Sequence, residues 1–430
     1  MAGTSVLTPS SSTRVVSRWV QLIAGIFAMM AVANLQYSWT LFTGDLTASL
    51  HTTLPAIQVA FSTFLLAVTW LVPFDGYLID RFGPRPIMVI AGVLVAIGWI
   101  GAGKAASVTQ LVIVYTIGGI GTGIVYGGTI GNALKWFPDR RGLCVGLTSG
   151  AYGLGTALTV NAINSMIKSS GYAHTFIVWG FAQGIVVVLA ALVMENPPSN
   201  WTLPGFSTGG TQRRPAVRTS VVDMSPWQMA RAGSFWLIYL MMTLMSFGGL
   251  MVTAQLSPIA KFYSVDKVVV VLGMSALVLA IQIDRILNGL TRPFWGWVSD
   301  HLGRENTMFV AFTLEALAVF LLLRLADHPV WFIALSGLCF FAWGEIFSLF
   351  PSITADLFGP KWATTNFGVV LTGAGVASIF AGPIAAMSSI KSGNWTGVFW
   401  AMIACDIISA VLALFWLKPL AGRIIASSQP

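Results

Sequence analysis

Charge is scarce in this sequence. Charged residues make up 9% of the 430 residues, whereas soluble domains usually carry about 25%. Hydrophobic residues make up 56%, and the mean hydropathy is +0.80. The shortage of charge excludes a large soluble core and indicates a polytopic membrane protein.

Metal-ligating side chains are scarce as well. The sequence has three cysteines and four histidines. Each cysteine lies inside an apolar run without CxxC spacing, and the histidines are scattered. No metal site, nucleophile–base pair or cofactor motif is visible, so we predict neither an enzyme nor a bound metal or cofactor.

Basic residues exceed acidic ones, and the formal net charge is +8. Such an excess could serve nucleic acid, but most Lys and Arg lie in short segments between apolar runs. With the N-terminus inside, fifteen of them fall in cytoplasmic segments and six on the opposite side. This asymmetry orients membrane proteins, so we predict cytoplasmic N- and C-termini, a lipid environment and no nucleic-acid partner.

Long apolar runs are abundant. Windows of about 20 apolar residues, enough to cross a bilayer, predict twelve spans, six on either side of a long polar stretch. That stretch, ENPPSNWTLPGFSTGGTQRRPAVRTS, is predicted to be a linker. The predicted organisation is a cytoplasmic tail at 1–18, a six-helix half at 19–194, a cytoplasmic linker at 195–233, a second six-helix half at 234–420 and a cytoplasmic tail at 421–430.

An internal repeat supports this division. The element Gly76-Tyr-Leu-Ile-Asp80-Arg-Phe-Gly83 matches Gly296-Trp-Val-Ser-Asp300-His-Leu-Gly303, with one offset of 220 residues for both glycines and the aspartate. Both copies lie between the second and third spans of their half. Parallel repeats of this kind are typical of transporters whose halves rock about a central site.

A G-x-x-x-D-x-x-G element, present twice in a six-plus-six chain, resembles the major facilitator superfamily. The resemblance implies an all-α transmembrane fold of twelve helices, in two six-helix halves related by pseudo-two-fold symmetry. It also implies a cytoplasmic latch, in which Asp and Arg side chains pair with neighbouring helix ends and hold the inner gate closed in one state. The latch residues it predicts are Gly76, Asp80, Arg81, Gly83, Arg85, Gly296, Asp300, Gly303 and Arg304.

Shorter motifs resemble the bacterial oxalate:formate antiporter family, which is related to the monocarboxylate transporters. They are Gln36-Tyr-Ser-Trp-Thr-Leu, Gly123-Ile-Val-Tyr-Gly, Ala151-Tyr-Gly-Leu-Gly, Asn288-Gly with Arg292-Pro-Phe-Trp-Gly, and Phe341-Ala-Trp-Gly. The resemblance implies a monomeric secondary transporter of small carboxylates in the bacterial inner (plasma) membrane.

The same resemblance bears on the substrate. In that family two basic side chains at the bilayer midplane hold a dicarboxylate. One corresponds to Arg292, and the other, a lysine, corresponds to Ala374 and is absent. Leu371 and Phe347 replace two aromatic residues of the cavity. A single matched cation favours a monocarboxylate over a compact dianion.

Span 8 keeps three charged residues in its middle, each costing roughly 2.5–3.5 kcal/mol on insertion scales. Arg292 lies eight residues before Asp300, about 12 Å from the cytoplasmic end, and Arg285 lies about 10 Å higher on the same stripe. Asp284 points about 100° away from Arg285. One interpretation is that Arg285 and Glu345 pair, which would leave Arg292 as the single free cation; a structural pair of Arg285 with Asp284 and a role for Arg285 as a second substrate cation stay open.

Motif residues near the midplane are predicted to line the cavity. Tyr126 and Tyr152 should reach the level of Arg292, where a phenol can donate to a carboxylate. The predicted substrate-binding residues are Arg292, Tyr126, Tyr152, Tyr37, Trp39, Gln36, Trp343 and Asn288. We interpret Glu315 and Asp406 as helix-packing or interfacial charges.

The predicted function is alternating-access transport of small organic anions, with monocarboxylates favoured. Transport is either proton-coupled or an exchange of one anion for another. The candidates for proton coupling or charge pairing are Arg285, Glu345 and Asp284. One alternative is a dicarboxylate antiporter of the oxalate:formate type. Another is a transporter-like sensor that binds a carboxylate without moving it.

Overall fold

The computed structural model describes residues 17–198, 201, 219–220, 222–271 and 273–428. The cytoplasmic tail predicted for 1–18 and much of the linker predicted for 195–233 lie outside the described residues.

The first half consists of eight helices that make six crossings. The first and second crossings are each built from two helices, and the two helices of the second crossing meet at a bend of 45°. The helices are α1 (Arg18–Tyr37), α2 (Trp39–Ser49), α3 (Leu54–Trp70), α4 (Val72–Phe82), α5 (Pro84–Lys104), α6 (Val108–Trp136), α7 (Arg141–Ser170) and α8 (Tyr172–Val193).

The second half repeats this order after a short helix, α9 (Pro226–Arg231). A small antiparallel hairpin, β1 (Val269–Val271) and β2 (Met274–Ser275), precedes its second crossing. The remaining helices are α10 (Gly233–Phe262), α11 (Ala276–Leu302), α12 (Arg304–Leu325), α13 (Pro329–Trp343), α14 (Ile346–Phe358), α15 (Ala363–Ser392), α16 (Thr396–Leu412) and α17 (Lys418–Ser428). A π-helical turn, Ala413–Leu417, joins α16 to α17, so most of the predicted tail at 421–430 is helical.

The number of membrane crossings follows from these helices. Among the residues that the structure describes, ten helical segments are long and apolar enough to span a bilayer, and the bent α3–α4 pair is an eleventh. The remaining crossing is α11, in which every stretch of 18 residues holds at least three of Asp284, Arg285, Arg292 and Asp300. The helix that fails a test of apolar composition is therefore the one that carries the candidate substrate cations.

Asp80 ties the two halves together at one end of the bundle, here called the latch side. Its carboxylate accepts hydrogen bonds from the backbone N–H of Thr365 at 2.8 Å and from the hydroxyl of Thr365 at 2.7 Å. It also forms an ion pair with Lys135 at 2.8 Å. A carboxylate at a helix N-terminus satisfies free N–H groups and complements the helix dipole, so α4 holds the start of α15.

Asp300 makes the equivalent contact in the opposite direction. Its carboxylate accepts hydrogen bonds from the backbone N–H groups of Gly142, at 3.0 Å, and Leu143, at 2.9 Å, at the start of α7. Each aspartate of the repeat therefore caps a helix of the other half. The two predicted latch aspartates lie in equivalent contacts, as the pseudo-two-fold relation requires.

Buried charges reinforce the Asp300 contact. Arg304 pairs with Asp300 at 2.6 Å and with Asp356 at 2.9 Å. Asp356 also pairs with Arg141 of the first half at 2.5 Å. This four-residue network joins α7, α11, α12 and α14, and it leaves each of its buried charges with an opposite partner.

Two residues predicted to belong to the latch make no contact across the halves among the described residues. Arg81 donates to the Tyr77 hydroxyl of its own helix at 3.0 Å, and Arg85 lies 3.6 Å from Glu195 within the first half. Arg81 belongs to the last turn of α4 and Arg85 to the first turn of α5, where both side chains are exposed. The cations of the latch are Lys135, Arg141 and the predicted Arg304, and Arg141 is the one that pairs across the halves.

The glycines of the repeat permit close approach and sharp turns. Gly83 and Gly303 adopt φ values of +88° and +92°, a region that favours glycine, so that α5 and α12 start directly after α4 and α11. A Cβ on Gly76 would lie 2.8 Å from the Thr364 carbonyl carbon, and one on Gly296 would collide with the Gly142 carbonyl oxygen. These positions bring the two halves into backbone contact at the latch side.

Candidate functional site

Arg292 lies at the interface of the two halves, on α11. Its Nη1 donates to the backbone carbonyl of Ser149 on α7 at 2.8 Å, and its Nη2 donates to the Asn288 side chain at 2.8 Å. The guanidinium stacks over the Phe347 ring, 4.3 Å from the centroid. Arg292 is 3% exposed, and among the described residues no carboxylate forms an ion pair with it.

The Arg292 guanidinium and the Tyr126 hydroxyl lie side by side and are incompletely satisfied. The Tyr126 oxygen lies close enough to the guanidinium to accept a hydrogen bond from it, but that contact is poorly formed, and neither Arg292 Nε nor the Tyr126 hydroxyl makes a well-formed hydrogen bond among the described residues. Buried donors are normally satisfied, so the phenol O–H and the guanidinium edge fit a ligand that supplies oxygen acceptors.

Three tyrosine rings form a ladder beside Arg292. Tyr126 of α6 packs edge-on against Tyr152 of α7, with 5.5 Å between the ring centroids, and Tyr152 packs edge-on against Tyr37 of α1 at 5.5 Å. The Tyr152 hydroxyl donates to Gln36 at 2.7 Å. The tyrosine ladder, Tyr126–Tyr152–Tyr37, runs along the first half opposite α11.

Arg285 lies at the far end of the tyrosine ladder. Its guanidinium lies 5.6 Å from the centroid of the Tyr37 ring, and its side chain is exposed. Seven residues of helix separate it from Arg292, a rise of about 10 Å. The ladder therefore connects a covered arginine near the latch side with an accessible arginine toward the opposite side.

The expected Arg285–Glu345 ion pair is absent from the described residues. Glu345 is 0% exposed, and both of its carboxylate oxygens lack hydrogen-bond partners there. Asp284 is buried and accepts a hydrogen bond from Ser336 at 3.2 Å. The pairing is not formed: Glu345 lies at the break in span 10 between α13 and α14 and is fully buried, whereas the Arg285 side chain is exposed. Both arginines thus lack a carboxylate partner within the described part of the chain.

The two predicted tryptophans occupy different places. Trp39 donates to Gln58 at 3.2 Å and packs against Phe61 and Tyr115 in the core of the first half. The helix break at Ser38, between α1 and α2, separates it from Tyr37, so its contacts do not support the predicted place in the cavity wall.

Trp343 lies one layer behind the site. Its ring packs edge-on against Phe347 at 5.6 Å, and its indole N–H donates to the Met245 carbonyl at 3.0 Å. It supports the ring on which Arg292 stacks. The Ser149 carbonyl was not predicted to take part, because a backbone acceptor carries no signal of its own in the sequence.

The family of the chain is shown by a comparison with protein-family models. The model described as Major Facilitator Superfamily matches residues 21–288 and 285–428. The chain belongs to the major facilitator superfamily. The predicted family and twelve-helix fold are therefore confirmed, and the chain is a multi-pass membrane protein and not an enzyme.

Individual relatives agree with this assignment. The chain is 33% identical over 410 residues to the oxalate:formate antiporter of Oxalobacter formigenes, covering 95% of this chain and 93% of that protein. It is 24% identical over 306 residues to human monocarboxylate transporter 14, covering 70% and 57%. Among solved structures, the proton:xylose symporter XylE has a TM-score of 0.67 at 14% identity, covering 93% of this chain and 96% of that one.

Proposed function

We propose that this protein is a secondary transporter of small carboxylates in the bacterial inner membrane and that Arg292 is the substrate anchor. Monocarboxylates are the favoured substrates. The proposal draws on the similarity to the oxalate:formate antiporter and on the contacts of Arg292. It takes the protein to act as a monomer with both termini in the cytoplasm, since the basic residues between spans favour that orientation.

One observation carries the proposal: Arg292 is buried at the interface of the halves with neutral partners alone among the described residues. A buried arginine inside a membrane helix is expensive unless something compensates it. A carboxylate would offer two oxygens to the guanidinium fork and to the Tyr126 hydroxyl. Anion binding therefore supplies the compensation that the neighbouring side chains do not.

The closed latch gives this binding site a direction. If the latch side is cytoplasmic, the arrangement has its inner gate shut and Arg285 accessible from outside. An anion would meet Arg285 first and reach Arg292 along the tyrosine ladder. Release of Asp80 and Asp300 from the helix ends they cap would then open the inner side, which is alternating access of two halves about a central site.

A small dicarboxylate is the second candidate substrate, and the exposed Arg285 favours it. Two arginines without acidic partners could each take one end of a dianion once the site closes. Ala374 provides no cation on the facing helix, α15. The two substrate classes differ in how they would respond to loss of Arg285, as set out in the Discussion.

The proposal is tested by flux into proteoliposomes. We expect wild-type protein to exchange or accumulate labelled formate, acetate, lactate or oxalate, and Arg292→Ala to lose at least about 10-fold in uptake, since a buried charged contact contributes on the order of 2–5 kcal/mol. Arg324→Ala is the matched control, because Arg324 is exposed and lies over its helix neighbour Phe320.

Arg292→Ala protein must elute and unfold like the wild type for the result to count. Undiminished uptake by that variant would contradict the anchor role. Binding of an acid by the wild type without any flux would favour the sensor alternative.

A further inference from the structure

Three buried carboxyl groups lie in the second half, away from the exposed face of α11. Glu315 of α12 is 1% exposed. Glu345, which precedes α14, and Asp406, in α16, are 0% exposed. Helix α12 packs against α13 and α16, and this packing brings Glu315 close enough to Asp406 and Glu345 for their charges to interact. We call Glu315, Glu345 and Asp406 the acid cluster. The sequence-based interpretation of Glu315 and Asp406 as interfacial or packing charges did not anticipate this grouping.

The oxygens of the acid cluster are largely unsatisfied. Both oxygens of Glu345, both oxygens of Asp406 and one of Glu315 have no hydrogen-bond partner among the described residues. An ionised carboxylate buried in this way costs several kcal/mol, and neighbouring like charges add repulsion. Three ionised carboxylates cannot share this region without a bound positive charge.

The side chains around the acid cluster do not supply that charge. The titratable groups whose charges interact with it are Cys405 of α16 and Cys339 of α13, and Cys339 also interacts with Asp284 of α11. On α10, Gly248 approaches the cluster, since an added Cβ there would lie 3.2 Å from Asp406 Oδ1. Within the described part of the chain, none of these neighbours is a cation.

The occupant that fits is a proton. Among the described residues, no three His, Cys, Asp or Glu side chains converge as ligands of a metal ion. A proton needs only one carboxylate oxygen and can be shared between two close carboxyl groups. Sodium, which needs several converging oxygens, is the competing occupant that the experiment must separate.

The acid cluster is mechanically connected to the anion site through the break in span 10. Gly344, on one side of the break, packs against the Thr291 methyl group, and an added Cβ there would lie 3.0 Å from the Asn288 carbonyl oxygen. Glu345 follows it and reaches the acid cluster. Phe347, two residues further, lies under the Arg292 guanidinium. The start of α14 and its N-cap residue Glu345 therefore connect both sites, and a shift of Phe347 on anion binding would move Glu345.

We propose that the acid cluster is a proton-binding site whose loading is coupled to movement of the anion bound at Arg292. The proton adds to one carboxylate oxygen of the cluster, and its single positive charge balances the charge of a monoanion. When the proton and the monoanion are both bound, the transporter changes state without moving net charge across the membrane. When neither is bound, it returns to the starting state. This inference rests on the proposed function for the anion, and the proton site itself has an independent test.

The first test compares two fluxes in proteoliposomes, with labelled formate, acetate and oxalate as probes. One flux is accumulation driven by an inside-alkaline pH gradient, and the other is exchange against internal anion. We expect the ratio of driven accumulation to exchange to fall several-fold in Glu315→Gln and Asp406→Asn and furthest in the double variant. Asp327→Asn, an exposed acid in the turn after α12, should keep the wild-type ratio.

A ratio that does not change in the double variant overturns the proposal, while Arg292-dependent exchange would still support the proposed function. Wild-type accumulation that follows a sodium gradient, or that does not respond to the pH gradient, overturns it as well.

The second test is independent of transport. Infrared spectra of purified protein near neutral pH should contain a protonated-carboxyl C=O band that shifts in D₂O and weakens in Glu315→Gln and Asp406→Asn. A wild-type spectrum in which no such band depends on these residues overturns the proton site, even if no labelled acid is transported.

Discussion

The two halves share a latch motif but differ in what their interiors carry. Among the described residues, the charged residues of the first half that are buried as a whole are Asp75 and Arg141, and the side chains of Asp80 and Lys135 are buried at the latch. Those buried as a whole in the second half are Asp284, Arg292, Arg304, Glu315, Glu345, Asp356 and Asp406. The first half offers neutral phenols and small residues instead. The fold is close to symmetric, whereas the residues that we propose to bind the anion and the proton are concentrated in the second half.

This asymmetry has a mechanical counterpart where α7 meets α11. An added Cβ on Gly150 would lie 2.7 Å from the Gly289 carbonyl oxygen, and one on Gly146 would collide with the Arg292 carbonyl. Small residues allow such approach of membrane helices. Gly146, Gly150 and Gly153 of α7 lie at this interface, whereas Gly155 packs on Met30 and Gly121 packs on Ala91 within the first half.

Among the substitutions that compare the two halves, those of the latch aspartates are expected to have the largest effect. Asp300→Asn should favour opening of the latch side by about 2 kcal/mol, roughly 30-fold in the ratio of states, because it weakens the pair with buried Arg304 as well as a helix cap. Asp80→Asn should act less, since the Thr365 hydrogen bonds can persist.

Labelling of Ser299→Cys, in a background without the native cysteines, measures latch opening, because Ser299 is buried beside Gly142 when the latch is shut. Asp45→Asn, an exposed acid, is the control. Equal labelling in Asp300→Asn and Asp45→Asn would contradict a closing role for the latch.

A variant of Arg285 tests whether the second half binds a monocarboxylate at Arg292 alone or a dicarboxylate at both arginines. We expect Arg285→Ala to weaken a small dicarboxylate by about 10-fold or more and a monocarboxylate by less than about 3-fold, since a charged hydrogen bond contributes roughly 1.5–3 kcal/mol. Competition for uptake of labelled substrate gives both constants. A large loss for monocarboxylates alone would reverse this interpretation.

Substitutions in the first half should have the smallest effects. Variants of two of its tyrosines distinguish a residue that binds the anion from one that stabilises the packing. Tyr126→Phe removes a hydroxyl that makes no well-formed hydrogen bond among the described residues, so it should raise the KM for a carboxylate by about 5-fold, near 1 kcal/mol, with little change in unfolding temperature. Tyr152→Phe removes the hydrogen bond to Gln36. It should lower the unfolding temperature more than Tyr126→Phe does and raise KM less than Tyr126→Phe does. The reverse ranking would place Tyr152 rather than Tyr126 beside the anion.

Much of the fold could be predicted from the sequence because apolar length and the repeated Asp80 and Asp300 motifs are local signals. Spacing along α11 also placed Arg285 and Arg292 on one stripe. The rotation of one helix relative to another cannot be predicted from local sequence. At the helix breaks at Ser38 and Gly344, residue spacing no longer predicts the direction in which a side chain points. For that reason the sequence misplaced Trp39, paired Glu345 with the wrong residue and did not reveal that Glu315 and Asp406 belong together.

Ligand protection of purified protein tests the central claim most directly. Unfolding temperature is measured with formate, lactate and oxalate for wild type, Arg292→Lys and Arg292→Ala. The account predicts stabilisation of the wild type by at least one acid, a smaller shift in Arg292→Lys, where the charge remains but the fork is lost, and none in Arg292→Ala. Equal stabilisation of wild type and Arg292→Ala by the same acid would contradict it.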